Sequence, residues 1–117
     1  LLINQPHLAV FKGDGGEIER DPDVECVVQS VHHNQLQEEV WTAMFPLRHV
    51  KEEAMQPERL AALWRGEVED EYAEAAVYGT AAIALRLLEK AGSVAEAQQM
   101  ALEMWQSRNK QKYQAAA

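Results

Sequence analysis

The chain changes character at about Met55: before it, short segments broken by turns carry β-like patterning, and after it apolar residues recur at helical period. That order restricts the fold to an α/β arrangement, with short strands in the first half (1–54) and three helices in the second (55–117). Leu8 to Phe11 reads as a buried strand. Val24 to Val31 reads as a second, with Val24, Cys26, Val28 and Ser30 alternating against Glu25, Val27, Gln29 and Val31. A third short strand is expected over Val40 to Phe45. Pro22 and Pro46 stand just outside these runs, where a missing backbone donor breaks no ladder bond.

The helical half is punctuated by local signals. Gln56-Pro57 places proline in a first helical turn, and Gly66 ends that helix after Leu60, Leu63 and Trp64. A long helix is expected from about Val68 to Lys90, because Val68, Tyr72, Ala75, Ala76, Gly79, Ala82, Ile83 and Leu87 fall three or four residues apart. Its acids gather at the N-terminal end and its bases at the C-terminal end, as the macrodipole favours. Gly92 supplies the stop, and Ser93-Val94-Ala95-Glu96 is a capping box that opens a third helix running through Trp105 or beyond. A mid-helix glycine costs about 1 kcal/mol relative to alanine, so Gly79, among Ala75, Ala76, Ala81, Ala82 and Ala84, implies close approach of another element.

Composition narrows the class of partner. The 117 residues suffice for one domain, and a 47% hydrophobic share is that of a globular chain. A net charge of -8 argues against a surface that is nucleic-acid footprint throughout, while leaving room for a local basic patch. The single Cys26 forms no internal disulfide, which points to a reducing compartment and so to the cytoplasm. No apolar run reaches the ~18 residues of a membrane span, and the start lacks a signal-peptide pattern. Leu1-Leu2-Ile3 reads as the run-up to a strand, so a longer parent polypeptide is expected.

The stretch most suited to chemistry is Val10-Phe11-Lys12-Gly13-Asp14-Gly15-Gly16-Glu17-Ile18, which passes from an apolar strand into a glycine-rich acidic turn. Glycines permit tight backbone conformations close to a ligand, and Asp14 and Glu17 bring two carboxylates to the same place. The same composition also serves as an ordinary connector between strands. It has neither the G-x-G-x-x-G spacing of a dinucleotide fold nor the ending of a P-loop.

Two stretches together, Phe11-Lys12-Gly13-Asp14-Gly15-Gly16-Glu17 and Tyr78-Gly79-Thr80-Ala81-Ala82-Ile83-Ala84-Leu85-Arg86, resemble the C-terminal part of the glycosyl transferase family 3 α/β domain, in its anthranilate phosphoribosyltransferase-like branch. Leu60 to Gly66 and Ser93 to Ala97 fall where that family has its late helices. The resemblance implies pentosyl transfer from phosphoribosyl pyrophosphate to a small aromatic amine or base, assisted by Mg2+ on the pyrophosphate. It implies that Glu17 helps to hold the metal, with Gly16 standing where the family has a second acid and Asp14 offering a carboxylate earlier in the turn. Lys12, Gly13 and Gly15 would then lie against the phosphate. The family's pyrophosphate-cradling loop belongs to an earlier segment, so transfer by these 117 residues alone is not expected. A homodimeric parent is a further implication.

Other groups have plainer readings. His32-His33 ends a strand-like run in which neighbours point to opposite faces, so the pair is expected not to share an ion; His7 and His49 show no partner spacing. Cys26 among valines reads as a small buried hydrophobe. Glu38-Glu39, Glu52-Glu53 and the acids from Glu67 to Glu74 read as solvated faces and helix N-termini. Arg108, Lys110 and Lys112, near Trp105 and Tyr113, suit either a helix C-terminus or a grip on single-stranded nucleic acid. The alternatives to transfer are therefore a nucleic-acid-binding protein on the same scaffold and a half-domain whose role is structural.

Overall fold

The structure, a computed structural model, describes residues 6–13, 18–48 and 56–112. Over these, three strands, β1 (His7–Val10), β2 (Cys26–His32) and β3 (Gln35–Trp41), precede three helices, α1 (Pro57–Arg65), α2 (Glu71–Leu87) and α3 (Val94–Gln106). The architecture is a small α/β fold, with strands and helices divided where the hydrophobic period changes. The sheet is antiparallel in the order β1-β2-β3.

The alternation of β2 sets which face of the sheet is covered. Cys26, Val28, Ser30 and His32 are buried, whereas Val27 and Gln29 are exposed. Cys26, Val28 and Trp41 enter one core cluster with Ala82 and Ile83 of α2 and Ala97 and Ala101 of α3. The opposite face, by the period-2 rule, carries Leu8, Val10, Val27, Val31, Leu36 and Val40, paired across the strands as Leu8 with Val31, Val31 with Leu36 and Val27 with Val40. That face is mixed: Val10, Leu36 and Val40 on it are at least half exposed and Val31 is buried, while Gln29 and Glu38 pair at its centre at 3.3 Å.

The third strand lies earlier than the expected Val40 to Phe45. It begins at Gln35, directly after a two-residue turn in which His33 and Asn34 both have positive φ (50° and 66°). Such a turn matches the twist of a hairpin and fixes the register from His32 opposite Gln35 to Cys26 opposite Trp41. Most β3 side chains are exposed, so the strand has no apolar run to betray it. Trp41, fully buried, anchors its end. Residues 42–45 instead leave the sheet, with the Met44 N–H donating to the Pro22 carbonyl at 2.8 Å.

Helix boundaries follow their caps. Pro57 opens α1 and Gly66, at φ 77°, closes it. The α2 helix starts at the N-cap Asp70, whose carboxylate accepts from the Ala73 N–H at 3.0 Å, and buries Ala75, Ala76, Gly79, Ala82 and Ile83, the stripe expected from the spacing. Its stop is not Gly92: the chain reverses at Glu89, with φ 59°. Ser93 caps α3 as its sequence implies, accepting from the Glu96 N–H at 3.1 Å, while the Glu96 carboxylate accepts from the Gly92 N–H at 3.2 Å. Ala75 and Ala82 on α2 and Ala97 and Ala101 on α3 are wholly buried, and side chains this small let the two helices approach closely.

Candidate functional site

The glycine turn leaves β1 through Phe11, which packs against the core, and Lys12, which is exposed. Gly13 is buried. Asp14, Gly15, Gly16 and Glu17, the centre of the turn and both proposed metal ligands, lie outside the described residues. The chain then descends to Arg20, a residue with no sequence signal of its own within the charged run from Glu19 to Asp23.

Arg20 has no solvent exposure. A buried cation needs partners, and Arg20 finds them on three elements. Its Nη1 donates to Gln98 Oε1 of α3 at 2.9 Å, its Nη2 to the Thr42 carbonyl at 2.8 Å, and its guanidinium lies 5.2 Å from the Trp41 ring centroid. Its backbone N–H donates to Thr80 Oγ1 at 2.9 Å, and that hydroxyl donates in turn to the Ala76 carbonyl at 2.7 Å. Burial pulls the Arg20 pKa down, opposed by Cys26 and Tyr78. Gly79 provides the space: a Cβ there would stand 3.6 Å from Arg20 Cδ and 3.3 Å from Met44 Sδ. Arg20 thus ties the segment leading into β2 to Gly79-Thr80. Cys26 is the buried thiol its valine neighbours imply, and burial pushes its pKa up.

The three tail cations divide. Arg108 is held by the ends of two helices: Nε and Nη2 donate to the carbonyls of Trp64 and Leu63 at 2.8 and 3.1 Å, Nη1 donates to that of Trp105 at 2.7 Å, and the guanidinium stacks 3.7 Å from the Trp105 ring centroid. This is the C-terminal capping role of a base near a helix end. Lys110 and Lys112 are exposed, and Lys110 lies along Gly66. A groove of about 590 Å3 runs beside Arg108 and Lys110, but Glu69, Glu71 and Glu74 share its lining, a poor match to phosphate. Tyr113 lies outside the described residues, as do His49, Glu52 and Glu53.

One constellation departs from the strand-parity reading. His7 and His32 are cross-strand partners, and His33 leaves strand geometry through its positive φ. All three rings therefore gather at one end of the sheet, against Glu89. His33 Nε2, His7 Nε2 and His32 Nδ1 lie 3.0, 3.4 and 3.5 Å from the same oxygen, Glu89 Oε1. Hydrogen bonding from His33, joined by His7 and His32, holds the Glu89 carboxyl below its usual range. The missed signal was the turn: His33-Asn34 between two β-like runs.

No family model matches the chain, and no curated protein matches it. Among the described residues no helix is long and apolar enough to cross a membrane.

Proposed function

We propose that this chain forms one wall of the ligand cleft in a phosphoribosyltransferase-like protein of the glycosyl transferase family 3 type, working in the cytoplasm and transferring a pentosyl group from phosphoribosyl pyrophosphate to a small aromatic amine or base. The reading is supported by one contact: Arg20, just beyond the first stretch that carries the resemblance, donates its backbone N–H to Thr80 of the second and packs at Gly79.

In this reading Lys12 supplies positive charge while Gly13 and Gly15 let the backbone approach the phosphate. Asp14 and Glu17 are hard oxygen donors of the kind that magnesium takes, usually one or two at a time with water completing the shell. The metal would neutralise charge on the departing pyrophosphate.

Calorimetric titration of the intact protein with phosphoribosyl pyrophosphate and Mg2+ tests the reading. Saturable, magnesium-dependent binding that weakens in Glu17→Gln is the expected result. No heat at millimolar ligand, or binding untouched by the substitution, would remove it. The nucleic-acid alternative draws on Arg108, Lys110 and Lys112, of which the two lysines are exposed. It requires an affinity for single strands that falls steeply with salt, with a slope flattened by removing those lysines.

A further inference from the structure

Glu89 Oε1 faces three imidazole nitrogens, at 3.0, 3.4 and 3.5 Å, yet a carboxylate oxygen offers two lone pairs. The three rings cannot all be well bonded to it at once. His7 and His33 are packed edge to face with centroids 4.6 Å apart, so their nitrogens crowd the same small volume. One ligand atom from each of His7, His33 and Glu89 can be chosen such that all lie within 4.8 Å of one another. A tetrahedral ion with bonds of about 2.0–2.1 Å spaces its ligand atoms by about 3.3 Å. The distances of 3.0 and 3.4 Å from Glu89 Oε1 to the two Nε2 atoms already bracket that edge length.

The backbone adds an independent observation. Among the described residues, His33, Asn34 and Glu89 are the non-glycine positions with positive φ, and two of these three carry candidate ligands. Left-handed backbone costs an ordinary side chain roughly 1–2 kcal/mol, a strain that persists where the side chain has something to do. Glycine or asparagine would serve either corner with less strain.

We propose that His7, His33 and Glu89 form a zinc site, with His7 Nε2, His33 Nε2 and Glu89 Oε1 as ligands and water in the fourth position. The donor set selects the metal class: imidazole nitrogen suits zinc and its neighbours, whereas magnesium takes oxygen. His32, buried, positions the carboxylate from the interior side, in the manner of an outer-shell partner. Three protein ligands with exposed His33 and partly exposed His7 leave a coordination position open to solvent. The ion would join β1, the β2–β3 turn and the end of α2, adding a bond between the sheet and the helix end to the β1–β2 ladder already there. The site shares no residue with those of the transferase reading and stands or falls independently of it.

The test is zinc titration of the intact, chelator-stripped protein by calorimetry and thermal melting, with Co2+ absorption as a probe of tetrahedral geometry. His33→Asn and Glu89→Gly each remove a ligand while keeping a residue suited to left-handed backbone. Expected are saturable zinc binding, a higher melting temperature with zinc, and a tetrahedral Co2+ spectrum, with one equivalent of metal lost in each variant. No zinc uptake by the unaltered protein, or uptake by both variants equal to it, would overturn the assignment. His7→Gln provides a third variant that touches no turn.

Discussion

Glu89 closes α2 in the same left-handed position in which Gly66 closes α1. In both, the reversing residue bonds back three residues and its successor five: Gly66 to Leu63 and Glu67 to Ala62, Glu89 to Arg86 and Lys90 to Leu85. One corner uses the residue the geometry favours, the other a residue it penalises. Gly66→Ala should therefore destabilise the protein by about 1 kcal/mol. In the presence of chelator, Glu89→Gly should be neutral or stabilising by up to about 1 kcal/mol. Urea unfolding measures both, and a destabilising Glu89→Gly would mean that its histidine contacts outweigh the backbone strain.

Gly79 and Arg20 share a volume that tolerates little. Gly79→Ala meets only the movable Met44 sulfur closely and gains helix propensity, so its stability should change by less than about 1 kcal/mol. Gly79→Val drives a methyl group toward the Arg20 side chain and should cost about 2 kcal/mol. Equal behaviour of the two variants in urea melts would contradict the packing described.

Arg108 makes three bonds to carbonyls and a stack that a point charge cannot reproduce. Arg108→Ala should lose about 1–2 kcal/mol, and Arg108→Lys nearly as much, because an ammonium lacks the planar fork. Tryptophan fluorescence should shift in both, since Trp64 and Trp105 stand edge to face at 5.7 Å beside it. Full rescue by lysine would show that charge alone matters there.

Asp70 gives a pH signature. Burial raises its pKa, but hydrogen bonds from Ala73 and Arg59 outweigh that effect and leave it lowered in the fold. A depressed native pKa contributes stability above the unfolded value of 3.8 that is lost as pH falls through the native one. Asparagine keeps the cap but not the charge. Asp70→Asn should thus cost less than about 1 kcal/mol at neutral pH, and the gap should shrink toward zero as pH falls below the lowered native pKa. A gap independent of pH would place the effect in shape, not charge.

Cys26 should be silent in the native state. Its thiol is buried and its pKa raised by that burial, so a disulfide reagent at pH 8 should react only as the protein opens. Labelling as fast as in urea would show that the sheet breathes at β2.

Helices were legible because their signals are local. Pro57, Gly66 and the Ser93–Glu96 box act within one turn, and each lies where the sequence puts it. The start of β3 was not, because an edge strand with exposed glutamine and glutamate needs no hydrophobic run; Glu39 instead pairs with Arg86 at 3.1 Å. Arg20 was invisible for another reason: its partners Thr80 and Gln98 are 60 and 78 positions away, and nothing near it in the chain announces burial. Strand parity argues against a histidine cluster, a rule that holds for His32 and fails for His33 because the hairpin turns between them.

The exposed aliphatic side chains on the outer face of the sheet, either side of the Gln29–Glu38 pair, affect how the protein behaves in solution. With Val10, Leu36 and Val40 presented to water on the side away from the helices, a sample of these 117 residues carries an adhesive surface of its own. Its elution volume should depend on concentration, and mild detergent should sharpen the peak without altering the circular dichroism. A spectrum from such a sample reports the sheet together with whatever it has stuck to.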